Sequence, residues 1–140
     1  TATDDWPHGG TVDDVEQVLA GAAANRADTF RGVASVICAL PPSDDVQNWF
    51  WGMFMEMGPL GDHSMRDLAH VDLRKELGAI DVPILSLHGT DDAFVPFSAA
   101  QAAAELANDA RLVAFDGCGH APFLEDRDRY LAELLGFLEA

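Results

Sequence analysis

The sequence predicts an α/β fold built on parallel strands, and three observations carry that reading. Ile84–Leu87 and Leu112–Phe115 are short apolar runs, and each ends in a polar turn that contains glycine. An apolar run bounded by turn residues is the pattern of a strand buried in a parallel sheet. Between the two lies a segment of helical composition, and strand–helix–strand is the unit from which parallel sheets are made, with a right-handed crossover. The third observation is chemical. The first turn carries Asp91 and Asp92, and the second carries His120 between Gly119 and Ala121. Functional groups of open α/β sheets gather beyond the carboxyl ends of the strands. An acid and a base are therefore expected side by side on one edge of one sheet.

The remaining elements follow from capping signals and periodicity. Residues 1–10 read as a loop, because Pro7, Gly9 and Gly10 interrupt regular structure. Thr11 with Asp14 has capping-box spacing, and Val12, Val15, Leu19 and Ala22 then recur at helical intervals. A second helix over about 26–38 places Phe30, Val33, Ala34 and Ile37 on one face, and Pro41 and Pro42 end that unit. Ser43 or Asp44 caps a third helix, apolar along Val46, Trp49, Phe50, Met53, Phe54 and Met57, with Trp51 and Met55 outside the stripe. Such a helix is either buried on two sides or a lid with one face on a substrate pocket, a place that suits Met and aromatic side chains. Ser64 with Asp67 repeats the capping box ahead of Met65–His70, and Asp72 caps a short helix ending near Gly78. From there the expectation is strand 83–88, helix 97–107, strand 111–115, loop 116–125 and helix 126–138. The last helix presents Tyr130, Leu131, Leu134, Leu135 and Leu138 on one face. The division expected is a helical region over 1–72 and an alternating region over 73–140.

Composition narrows the function. The 140 residues carry 24 acidic and 8 basic side chains, a formal net charge of −16, and Lys75 is the only lysine. That charge argues against binding nucleic acid or an anionic membrane. Acidic pairs such as Asp4-Asp5, Asp13-Asp14 and Asp44-Asp45 are scattered along the chain, which suits a solvated acidic surface and is compatible with adaptation to high salt. Cys38 and Cys118 make no disulfide framework. No run approaches the ~18 apolar residues of a membrane span and no signal peptide opens the chain, so a cytoplasmic location is expected. His8, His63 and His70 lack ligand spacing, and neither a metal site nor a dinucleotide fingerprint is expected. Only two strands are legible, too few for a free-standing parallel sheet, and the opening at Thr1 is what a piece cut from a longer chain would show.

The segments Val82-Pro83-Ile84-Leu85, His88-Gly89-Thr90-Asp91-Asp92, Val95-Pro96 and Gly119-His120-Ala121-Pro122-Phe123-Leu124-Glu125 resemble the C-terminal part of the α/β-hydrolase family. The likeness is to its cofactor-free esterases and perhydrolases, also called non-haem haloperoxidases. It is strong over about residues 80–140 and weaker before. The resemblance implies the fold class: a C-terminal fragment of an α/β-hydrolase, a helical lid over 1–72 followed by two parallel strands with flanking helices, the last part of the core. It implies Ser-His-Asp chemistry on a small-molecule ester or acyl substrate with no cofactor. The family places the acid three residues after a glycine and ahead of a Val-Pro pair, which selects Asp92 over Asp91. His120 then becomes the general base, since an imidazole titrates near neutrality and can take and return a proton. Trp49, Phe50, Trp51 and Met53 on the lid-like helix, with Phe94 and Val95 beside the acid, are the candidate substrate contacts. His88 is expected to be a packed residue near the floor of the site.

The nucleophile is the missing part. The family carries it in a G-x-S-x-G elbow that precedes the acid, and none of Ser35, Ser43, Ser64, Ser86 and Ser98 has those glycines. Cys118 lies in the same tight loop as His120, which leaves little room for substrate between them. The resemblance therefore implies that the serine and the N-terminal half of the core precede Thr1, and that this chain alone is inactive and able to self-associate through an exposed sheet edge. Two other possibilities stay open. One is a non-catalytic docking or binding module. The other is a different activity of the same family: lactonase, C–C hydrolase, dehalogenase or perhydrolase.

Overall fold

The first helix, α1 (Val12–Ser35), opens on the capping box that the sequence announces. The Asp14 amide donates to the Thr11 hydroxyl, and the Thr11 amide donates to the Asp14 carboxylate at 2.7 Å. Asn25 leaves helical geometry at φ −153° and ψ 87°, so the two helices expected from periodicity are the two halves of one kinked element. The reason is local: the Asn25 side chain accepts from the Asp28 amide at 3.3 Å, restarting the helix as a cap does. The second half ends at Ser35, short of the expected residue 38. The computed structural model describes residues 1–139 and divides into two compact units. One comprises Thr1–Ile37 and Pro41–Val71, and the other comprises Cys38–Leu40 and the chain from Asp72 onward.

In the first unit, α1 packs against α2 (Asp44–Glu56) and α3 (Pro59–Leu68). Ser43 caps α2 through the Val46 amide. The helix α3 begins at Pro59, six residues before the expected Met65, because a proline in the first turn gives up no hydrogen bond. Ser64 is consequently inside the helix, where its hydroxyl donates to the Leu60 carbonyl rather than capping anything. The apolar interior takes Leu19, Ala22, Phe30, Ala34, Phe50 and Ala69. The expected apolar stripe of α2 is corrected: Phe50 is buried, whereas Trp49 and Met53 are 50% and 43% exposed. Trp51, outside the stripe, docks on α1 instead. Its indole N–H donates to the Ala27 carbonyl at 2.9 Å and the Arg31 guanidinium lies 4.4 Å from its ring centre.

The second unit is built on two parallel strands, β1 (Ile84–Gly89) and β2 (Ala110–Phe115), paired from Ile84↔Ala110 to Gly89↔Phe115. Helix α4 (Arg74–Leu77) packs on α5 (Phe97–Leu106), the crossover helix that covers both strands. The core centres on Val113, Phe115 and Cys118, with Leu85, Leu87 and Tyr130 against them. The expected loop 116–125 contains a short helix, α6 (Pro122–Glu125), started by its proline, and α7 (Arg127–Leu138) follows. Only the Tyr130 end of the expected α7 face meets other rings, those of Phe115 and Phe123. Leu131, Leu135 and Leu138 stand 40%, 55% and 69% exposed, because nothing among the described residues covers that stripe. No helix among the described residues is long and apolar enough to cross a membrane.

Candidate active site

The turns that leave β1 and β2 are knitted together before any side chain is considered. The Thr90 amide donates to the Phe115 carbonyl at 3.0 Å, and the Asp91 amide donates to the Cys118 carbonyl at 2.9 Å. The Gly117 amide donates to the Thr90 hydroxyl at 2.9 Å. Gly89 makes this approach possible, since a Cβ there would stand 2.1 Å from the Gly119 carbonyl oxygen and 2.2 Å from that of Cys118. The parallel register places Gly89 opposite Phe115, so the two chains turn off the sheet at the same level.

From these turns Asp92 and His120 meet. His120 Nδ1 lies 2.8 Å from Asp92 Oδ2, and the carboxylate, an acceptor, assigns the proton to Nδ1. The other carboxylate oxygen accepts the amides of Phe94 at 2.8 Å and Val95 at 3.0 Å. The Asp92 side chain is only 3% exposed while that of His120 is 46% exposed. Burial pushes the Asp92 carboxyl up; the Val95 amide, the His120 imidazole and the Phe94 amide together outweigh it and hold the group below the ordinary aspartate value. Among the described residues no group bonds His120 Nε2, so that nitrogen is available to exchange a proton with a bound reactant. A half-exposed imidazole oriented by a buried carboxylate is an arrangement that can take and return a proton.

The other residues singled out from the sequence fall into two groups. Phe94 stands beside the pair, its ring 5.3 Å from that of His120 and edge-on, and Val95 is partly exposed in the same turn. Trp49, Phe50, Trp51 and Met53 belong to the first unit, where Phe50 and Trp51 are engaged in packing and Trp49 and Met53 are open to solvent. Asp91 is exposed and accepts from the Thr90 hydroxyl. His88 lies beneath the site, its Nε2 3.7 Å from Asp92 Oδ2 and its Nδ1 2.9 Å from the Gly89 carbonyl. Cys118 is buried, and that burial, with Glu125 nearby, raises its thiol pKa and disfavours the thiolate a nucleophile needs. No group of three or more candidate metal ligands occurs among the described residues.

His88 lies near the acid, as expected for the floor of the site, and one contributor was left without a role: the Glu125 carboxylate, which accepts backbone amides from Gly119 and Ala39. Glu125 had a sequence signal, an acidic residue closing a proline-led turn just after the histidine loop. Its partner Ala39 had none.

The chain belongs to the α/β-hydrolase family: a family profile described as alpha/beta hydrolase fold matches residues 44–127. It is similar to the AB hydrolase superfamily protein YisY of Bacillus subtilis, 31% identical over 125 residues, which are 89% of this chain and 47% of that protein. It is also similar to a non-heme haloperoxidase of Rhodococcus erythropolis, 32% identical over 68% of this chain and 35% of the relative. Among solved structures, an esterase from Exiguobacterium antarcticum superposes with a TM-score of 0.93 at 28% identity, covering 100% of this chain and 53% of the esterase. The chain thus spans about half the length of the proteins it matches over most of its own length. The resemblance seen in the sequence to the esterase and haloperoxidase branch is borne out.

Proposed function

We propose that this chain supplies the acid and the general base of a serine carboxylic ester hydrolase, Asp92 and His120, and that the serine comes from residues N-terminal to it. The observation that carries the reading is the 2.8 Å contact between Asp92 Oδ2 and His120 Nδ1, with the carboxylate buried and the imidazole half-exposed. Serine Oγ would attack the ester carbonyl carbon while its proton passes to His120 Nε2. The imidazolium, steadied by Asp92, then gives that proton to the departing alkoxide and leaves an acyl-serine. Water attacks the acyl group in the second half, with the same imidazole as base, and releases the acid. Helices α1 to α3 act as the lid, and Trp49 and Met53, the open apolar residues of α2, are its acyl contacts. Phe94 and Val95 are substrate contacts beside the acid.

Two observations support a nucleophile outside this chain. None of its five serine positions carries the glycine-flanked elbow, and the chain spans about half of its relatives. The exposed Leu131, Leu135 and Leu138, with a sheet of two strands among the described residues, mark where the rest of the core would pack. Similarity to a protein named a haloperoxidase supports a second reading, in which the acyl-serine is intercepted by hydrogen peroxide to yield a peracid. A cytoplasmic location goes with either reading.

The test compares residues 1–140 with the same chain joined to its upstream sequence, using p-nitrophenyl acetate. The joined protein should turn over, and His120→Ala should abolish turnover. The isolated chain should be silent, with weak near-ultraviolet dichroism and self-association on sedimentation. A cooperative monomer of the 140 residues with His120-dependent turnover would overturn the proposal and direct attention to Ser86 and Cys118.

A further inference from the structure

We propose that Glu125 is a positioning residue for His120, acting by gripping the backbone on both sides of it. Its Oε2 accepts the Gly119 amide at 2.8 Å, directly before the histidine. Its own amide donates to the Ala121 carbonyl at 3.1 Å, directly after the histidine. One residue thus brackets His120 in the chain. The remaining oxygen, Oε1, accepts the Ala39 amide at 2.7 Å, which fixes the carboxylate to the Cys38–Leu40 segment of the same unit. Contact there is close: a Cβ on Gly119 would stand 2.5 Å from the Ala39 nitrogen and 2.8 Å from the Cys38 carbonyl carbon. The histidine loop is therefore pressed onto that segment and stitched to it by a two-pronged carboxylate, with Ala121 fully buried beside it.

The functional consequence follows from where flexibility would otherwise lie. His120 follows Gly117 and Gly119, and its side chain is half-exposed, so packing of the ring alone does not fix it. Besides the edge-on contact with Phe94, its Nδ1 bond to Asp92 and the anchored backbone hold it. Two charge-assisted acceptor bonds to amides are stronger and more directional than neutral ones. A glutamine of the same shape cannot replace them, because it has one acceptor oxygen and presents N–H groups to the second amide.

The inference rests on the reading of His120 as the base, and the experiment separates the two. In the complete enzyme, Glu125→Gln should lower kcat roughly 10- to 100-fold with KM little changed, because misplacing a catalytic group costs rate rather than ground-state binding. The His120 Nδ1 proton, seen by NMR as a downfield resonance that Asp92→Asn removes, should broaden or vanish in the variant although near-ultraviolet dichroism is retained. A kcat and resonance both like those of wild type would overturn the positioning role. Should Glu125→Gln not fold, Glu125→Asp, whose shorter side chain cannot span both amides, decides the same way on the same resonance. If His120→Ala leaves turnover intact, the base assignment fails, while the resonance still reports whether Glu125 holds the ring on Asp92.

Discussion

His88 Nε2 stands 3.7 Å from Asp92 Oδ2, the same oxygen that His120 Nδ1 holds at 2.8 Å. The two imidazoles are not equivalent partners. His88 Nδ1 faces a carbonyl, which can only accept, so that nitrogen carries a proton, and Nε2 stands beyond hydrogen-bond reach of the carboxylate. The carboxylate oxygen therefore belongs to His120. Asp92→Asn should remove that acceptor and lower kcat in the complete enzyme by roughly 10³- to 10⁴-fold. Asp91→Asn, one residue away and with its carboxylate on the Thr90 hydroxyl, should leave kcat near wild type. Equal losses in both variants would show that the turn, not the Asp92 carboxylate, is what matters.

The same carboxylate predicts a pH dependence of stability. The folded-state pKa of Asp92 lies below its unfolded value, in the direction set by the two amides and the imidazole against the opposing effect of burial. A depressed carboxyl contributes stability that is fully present above the unfolded value of about 3.9 and is lost as pH falls through the folded value. Melting temperatures of wild type and Asp92→Asn should therefore differ most at neutral pH and converge below about pH 4. A constant difference down to the acid end would show that Asp92 is not held ionised by its partners.

Two tryptophans two residues apart in sequence, Trp49 and Trp51, should behave in opposite ways. Trp51→Ala loses the indole bond to Ala27 and the Arg31 stacking, and should destabilise the first unit by about 2–4 kcal/mol. Trp49→Ala, at a half-exposed position, should change stability little and instead shift the preference of the complete enzyme among short and long acyl chains. Denaturant midpoints and a chain-length series of p-nitrophenyl esters measure the two effects. Uniform rate loss across the series in Trp49→Ala would assign α2 a structural role alone.

Net charge gives the fourth expectation. At −16 over 140 residues the folded state carries self-repulsion that salt screens. The melting temperature at neutral pH should rise between low and molar chloride. A flat response would remove the suggestion of adaptation to high salt.

Much of the site was legible without coordinates, and the reason is locality. Two apolar runs, each closed by a glycine-bearing turn, fix strand, exit point and the side chain that leaves it within a few residues. Asp92 and His120 could thus be paired across 28 positions once both strands were taken as parallel neighbours. The capping boxes fared unevenly. Thr11–Asp14 holds because both groups are free at a true helix start, whereas Ser64–Asp67 has the same spacing inside a helix already begun at Pro59. What the tertiary structure alone decided are contacts whose partners lie far apart in sequence and leave no periodic mark. The buried face of α2 keeps Phe50 and Phe54 of the stripe but turns toward Trp51, held by Ala27 and Arg31 on α1, and away from Trp49 and Met53. The grip of Glu125 on Ala39 joins backbone to carboxylate across 86 positions, and a backbone amide carries no sequence signature at all. Short-range propensity determined the strands and the turns that bring Asp92 and His120 together; long-range packing determined how firmly they are held.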